Sequence, residues 1–104
     1  MGEHLQIFRV RVPEESVPRL LEIRPAAIAE AQRLCPALLR AELVRLDDDN
    51  WLDVLTWSGA DGEGQLMQRA AEFDAISEMH DLLVDADEPL RGEIVHSSSD
   101  MTKP

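Results

Sequence analysis

The 104-residue chain has no tyrosine, one cysteine and only 4% aromatic residues. A lone Cys35 cannot form an internal disulfide, which suits a reducing cytoplasm. Basic side chains are also scarce: 10 Lys and Arg stand against 21 Asp and Glu, for a net charge of −11. Such a chain repels phosphate backbones and anionic lipid, so the partners expected exclude nucleic acid and membrane surfaces. No apolar run approaches the ~18 residues of a membrane span, and MGEHLQIF lacks the basic flank of a signal peptide. A cytoplasmic protein is therefore expected. The three histidines, His4, His80 and His96, are dispersed, and no metal-ligand spacing emerges. Gly59, Gly62 and Gly64 lack the Lys and following Ser or Thr of a phosphate loop. No metal and no bound cofactor are expected.

What the chain does have is an ordered series of patterned segments. Residues 5–12 alternate as a strand, and 17–34 carry apolar residues at helical spacing. Residues 38–46 and 51–57 alternate again around Asp47-Asp48-Asp49-Asn50, a turn by its Asx chemistry. A second helix is expected over 64–84 and a last strand over 90–96. The order β-α-β-β-α-β defines an α+β domain of ferredoxin-like type with an antiparallel sheet. One domain, residues 1–96, is expected, followed by a polar tail, 97–104.

Local signals refine this. Pro13 closes the first strand, Ser16 is a candidate N-cap, and Pro18 fits the first helical turn. Val17, Leu20, Leu21, Ala27, Ile28, Ala31 and Leu34 form the core stripe, and Pro25 predicts a kink that leaves the Leu21 carbonyl unpaired. The second helix offers Leu66, Ala70, Phe73, Ile76, His80 and Leu83, with a break at Glu72 or Asp74. The glycine-bearing stretch 58–64 reads as a mobile lip.

Alternation assigns Phe8, Val10, Val12, Leu39, Ala41, Leu43, Leu52, Val54 and Thr56 to the face covered by the helices. The opposite face mixes Arg9, Arg11, Arg40, Glu42 and Asp53 with Ile7, Val44, Leu55, Trp51 and Trp57. Arg9 or Arg11 is expected to pair across to Asp53, and onward to Glu42 or Arg40. Large apolar groups among paired charges suggest a surface covered by another chain. A homodimer meeting sheet to sheet is expected, its face including Arg9, Arg11, Glu42, Asp53 and Trp51.

Three stretches carry a family resemblance: Phe8-Arg9-Val10-Arg11-Val12-Pro13, Leu34-Cys35-Pro36-Ala37-Leu38-Leu39 and Trp51-Leu52-Asp53-Val54-Leu55-Thr56-Trp57. They resemble the antibiotic biosynthesis monooxygenase superfamily over roughly residues 5–96. The resemblance implies a dimeric α+β barrel of two ferredoxin-like units, with a pocket between the sheet and helices of each. It implies a small apolar or aromatic, polyketide-like substrate and oxygenation without a cofactor. The pocket residues it suggests are Phe8, Thr56, Trp57, Met67 and Phe73. The haem-degrading branch has an Asn on the first strand and a Trp and His on the second helix. Here the second helix has no Trp, and Leu66 and Glu72 stand where many relatives have His, which argues against haem turnover.

His80 is the one mid-chain histidine and the candidate catalytic residue. As a general base it would take a proton from an acidic C–H or O–H, leaving a carbanion able to meet oxygen directly. A histidine at the rim of the core is the plainer alternative. Cys35 has no evident base beside it, and Asp47–Asp49 reads as a solvated turn rather than a cation site. The competing functional class is a non-catalytic binding or accessory dimer that kept the pocket and lost the catalytic groups.

Overall fold

A computed structural model describes residues 2–59, 74–84, 88–96 and 98. The described elements are β1 (His4–Arg11), α1 (Val17–Leu34), β2 (Leu38–Asp47), β3 (Asn50–Trp57), α2 (Asp74–Leu82) and β4 (Leu90–Glu93). The strands form one antiparallel sheet in the order β2-β3-β1-β4. This is the ferredoxin-like arrangement that the order of segments predicts. The predicted start of the second helix, from Gly64 to Phe73, and most of the lip lie outside the described residues. The last strand is shorter than expected, ending at Glu93. No described helix is long and apolar enough to cross a membrane.

The helix α1 has the predicted bounds, but its start is built differently. Glu14–Ser16 forms a 3-10 turn, in which the Ser16 N–H donates to the Pro13 carbonyl at 2.8 Å. The Ser16 side chain therefore makes no capping bond. Pro25 lies within a continuous helix, on its exposed side. Leu21, whose carbonyl loses its usual donor, is 54% exposed, so water can serve that carbonyl.

The hairpin turn is as its chemistry predicts. Asp48 adopts φ 37°, and Asn50 Nδ2 donates to Asp47 Oδ1 at 2.8 Å. Arg11 donates through Nε to Asp49 Oδ2 at 3.1 Å, and the Val12 N–H bonds the Asp49 carbonyl at 2.8 Å. The end of β1 is thus tied to the β2–β3 turn. It is tied as well to the segment after α2, through reciprocal backbone bonds between Arg11 and Val84.

Register corrects the sequence reading of the faces. Phe8 lies opposite Asp53, Val10 opposite Trp51 and Gln6 opposite Leu55. Residues directly opposite share a face, so Trp51, Asp53, Leu55 and Trp57 lie toward the helices with Phe8 and Val10. Leu52, Val54 and Thr56 alternate to the outer side with Ile7 and Arg9. Both phases of β3 are rich in apolar residues, and the larger indoles take the core, where burial removes the most apolar area from water. A register shift between Leu38 and Arg40 corrects β2 similarly: Leu38 is buried opposite Trp57, while Leu39 is 39% exposed.

The core divides into two apolar clusters. Leu20 packs with Val10, Val12 and Trp51, and Ala27, Ala31 and Cys35 pack with Leu38 and Trp57. The alanines are small where the facing Trp57 is large, so helix and sheet approach closely. Between the clusters lies a buried ion pair, Arg24 Nη2 to Asp53 Oδ1 at 2.8 Å. Asp53 therefore meets a helix arginine, rather than the Arg9 or Arg11 partner expected across the sheet. Met79 of α2 packs against both clusters, and the helix reaches the core through Ala75, Met79 and Leu82, followed by Leu83. The side chains of Ile76 and His80, from the predicted stripe, lie outside the described residues. Arg19 of α1 bonds both Glu78 of α2 and Glu22 of its own helix.

Removing one member of a buried ion pair leaves an uncompensated charge, whereas replacing both with apolar groups is close to neutral. Asp53→Ala is expected to destabilise the fold by about 3–5 kcal/mol, and Arg24→Met/Asp53→Leu to recover most of that loss, both read by urea unfolding. Hydrogen bonds from Arg11 and Arg19 hold the carboxyls of Asp49 and Glu78, respectively, below their ordinary range. Depressed carboxyl pKa values stabilise the fold above the unfolded-state value of about 4, and that stabilisation is lost as pH falls through the folded values. NMR titration of the Glu78 carboxyl is expected to show this depression, and Arg19→Met to raise the midpoint toward the ordinary value.

Candidate functional site

Four polar or charged residues are buried among the described ones: Gln6, Arg24, Asp53 and Thr56. Three of them, Gln6, Arg24 and Asp53, lie between the sheet and the helices. Their positions follow from two periodicities. Along α1, Leu20, Arg24, Ala27 and Ala31 recur at intervals of four, three and four residues, so Arg24 occupies the middle of the buried stripe. Along β3, Trp51, Asp53, Leu55 and Trp57 share a face, which sets Asp53 between the two indoles. The charged pair thus forms a polar layer between the Leu20–Trp51 contact and the Ala27–Trp57 contact.

The pair is well buried without being sealed. Its side chains keep 10% and 7% of their surface, where Leu20, Val12 and Ala27 keep none. Arg24 Nη1 points to the Met79 sulfur at 3.7 Å, so a soft thioether from α2 closes one side. Phe8, opposite Asp53 in register, is partly buried beside the Val10–Trp51 cluster. Toward the other end, Trp57 Nε1 donates to Gln6 Oε1 at 3.1 Å in a buried contact. Trp51 Nε1 is buried with no hydrogen-bond partner among the described residues. The Arg45 guanidinium lies 5.3 Å from the Trp51 ring centroid. The arrangement sets one charge-paired donor–acceptor couple between two tryptophan-centred apolar clusters.

The residues predicted for the site are brought together only in part. Trp57 is in the core beside the polar layer and Phe8 lies opposite Asp53, but Thr56 alternates to the outer side and is 1% exposed. Met67 and Phe73 lie outside the described residues. His80 follows Met79 in α2, and its side chain lies outside them as well. Of the residues expected on the outer face, Arg9, Arg11 and Glu42 are exposed, whereas Trp51 and Asp53 are each 5% exposed on the helix side. Sequence reasoning missed Arg24 and Gln6. Both had a signal: Arg24 interrupts an otherwise apolar stripe in phase with it, and Gln6 has the inward phase of Phe8 and Val10. Among the described residues, no three His, Cys, Asp or Glu side chains converge as metal ligands would.

No protein-family profile and no curated protein matches the sequence. Solved structures do match. A variant of SnoaB, a cofactor-independent oxygenase from Streptomyces nogalater, superposes with a TM-score of 0.72 at 13% identity, covering 93% of this chain and 97% of that one. A candidate antibiotic biosynthesis monooxygenase from Chloroflexus aurantiacus gives 0.67 at 17% identity, covering 92% and 96%. A dimeric ferredoxin-like protein from an uncultured marine organism gives 0.64 at 11% identity, covering 93% and 91%. Over nearly its whole length, the chain therefore has the ferredoxin-like α+β fold of these solved structures, an oxygenase and a candidate antibiotic biosynthesis monooxygenase among them.

Proposed function

We propose that this chain is a homodimeric member of the antibiotic biosynthesis monooxygenase superfamily that binds a small apolar or aromatic, polyketide-like molecule between its sheet and helices. It oxygenates that molecule without a metal or bound cofactor. The observation that carries this reading is a charged, incompletely sealed polar layer between two tryptophans, in a fold shared with a cofactor-independent oxygenase. A core built only for stability gains little from a buried ion pair over apolar side chains of similar volume. In the reaction, loss of a proton from an acidic C–H or O–H of the substrate gives a carbanion that meets dioxygen. One oxygen atom enters the product and the other leaves as water, the substrate supplying the electrons. His80 in α2 is the candidate base. Phe8, Trp57, Met67 and Phe73 are proposed to line the pocket.

The dimer reading is supported by the outer side of the sheet. Leu5, Ile7, Leu52 and Val54 are only half-buried there, Val44 is 41% exposed and Leu90 is 71% exposed. In register they form a continuous apolar band: Val44 beside Leu52, Val54 beside Ile7, and Ile7 beside Leu90. Arg9, Arg11, Arg40 and Glu42 border it. A second copy packed sheet to sheet would remove this band from water and form an α+β barrel. The absence of tyrosine, a natural handler of phenolic substrates, favours a second reading in which the dimer binds its ligand without turning it over.

Native mass spectrometry of the freshly purified protein is expected to show a dimer with a retained aromatic adduct; a strict monomer would overturn the sheet-to-sheet reading. Val54→Glu, central in the band, is expected to shift the protein to monomer in sedimentation. With a hydroxylated polycyclic aromatic as substrate, an oxygen electrode is expected to record about one dioxygen consumed per substrate, and His80→Ala to lower kcat by about 100-fold. Ligand binding with no oxygen uptake would select the non-catalytic reading.

A further inference from the structure

The hydrogen-bonding capacity of the polar layer exceeds what the described residues use. A guanidinium has five N–H donors. Arg24 spends one on Asp53 Oδ1 and one on the Met79 sulfur, leaving three without a partner among the described residues. Asp53 Oδ2 accepts no hydrogen bond from them either. One step along the same face of β3, Trp51 Nε1 is buried and unpartnered. Buried polar groups are ordinarily satisfied, so the buried, unpartnered Trp51 N–H points to a polar group that fits beside the ion pair. The small surface left on both side chains gives that group a way in.

We infer that Arg24 and Asp53 together form a hydroxyl-reading couple: an Arg24 N–H donates to the oxygen of an aromatic or enolic hydroxyl, and Asp53 Oδ2 accepts its hydrogen. The inference rests on the proposed pocket between sheet and helices and specifies what that pocket reads. The couple is neutral overall, so it selects a group that both donates and accepts rather than a full anion. Asp53 also positions Arg24 through the 2.8 Å bond, which fixes one edge of the guanidinium and leaves the rest of the fork to the ligand. The two Trp-centred clusters on either side supply flat apolar walls for the ring that bears the hydroxyl. Trp51 Nε1 is a further donor to a second oxygen on the same face. The substrate class this selects is an apolar aromatic with an acidic hydroxyl, the group whose deprotonation feeds electron density into the ring.

The test is a preference ratio, which partial unfolding does not imitate. Binding of 2-naphthol and of 2-methoxynaphthalene, equally flat but without a hydroxyl hydrogen, is measured by fluorescence for the wild-type dimer and for Arg24→Met/Asp53→Leu. The wild type is expected to prefer 2-naphthol by about tenfold or more, because a site built around a hydroxyl rejects an analogue that leaves its acceptor unpaired. The double variant, in which neither charge is left alone, is expected to bind both compounds with a ratio near one. Arg24→Lys, which keeps a donor and the charge, is expected to retain part of the preference. A wild type that binds both equally, or a double variant that keeps the preference, overturns the couple and leaves the pocket reading standing. A wild type that binds neither compound overturns the pocket reading as well.

Discussion

The Arg24–Asp53 ion pair is the constraint around which the described core is arranged. It forces α1 to present an arginine at the centre of its buried stripe and β3 to turn Asp53 inward. Because alternation along a strand is strict, Trp51, Leu55 and Trp57 must then turn inward too. With two indoles on that face, α1 can lie close only where its side chains are small, at Ala27 and Ala31. The phase of β3, the apolar clusters and the separation of helix from sheet thus belong to one arrangement. Desolvating two charges is expensive, and their mutual attraction offsets it only at close, well-directed geometry. Met79, which touches both clusters and the guanidinium, keeps the layer shielded from the α2 side.

The outer side of the sheet has a different logic. Once the tryptophans take the helix side, the alternate residues of β3, Leu52, Val54 and Thr56, are left with Leu5 and Ile7 on a face the described helices do not cover. An apolar strand with both phases hydrophobic is what a sheet buried on two sides requires. In one chain, the described helices meet only one side. The same slip of one residue that sends Trp51 and Asp53 inward leaves Leu52 and Val54 on the outer face, free of the Asp53 carboxylate, which supports the proposed second copy as its cover.

The charged surface organises the connections between elements rather than the core. Arg11 with Asp49 fastens β1 to the hairpin turn, and Arg19 with Glu78 fastens α1 to α2. These pairs are exposed and worth little individually. Their value lies in placement, since each joins elements distant in sequence. Arg40 with Glu3 does the same between the β2 edge and the start of the chain.

The sequence by itself determined the order of elements, the bounds of α1, the Asx turn and the hairpin, because these depend on local spacing and backbone chemistry. It also placed Phe8, Val10, Ala27 and Ala31 on the surfaces where sheet and helices meet. Several features were decided only by tertiary structure: the phase of β3, the bulge that exposes Leu39, the replacement of a Ser16 side-chain cap by a 3-10 turn, and the burial of Arg24. Alternation shows that two faces of a strand differ but not which faces the helices. When both phases are apolar, pairing register and indoles that fit best against alanines make the choice. A single arginine in an apolar stripe looks like an interruption until its carboxylate arrives from a strand 29 residues away. That meeting of α1 with β3 is what turns two unremarkable charges into a candidate binding site.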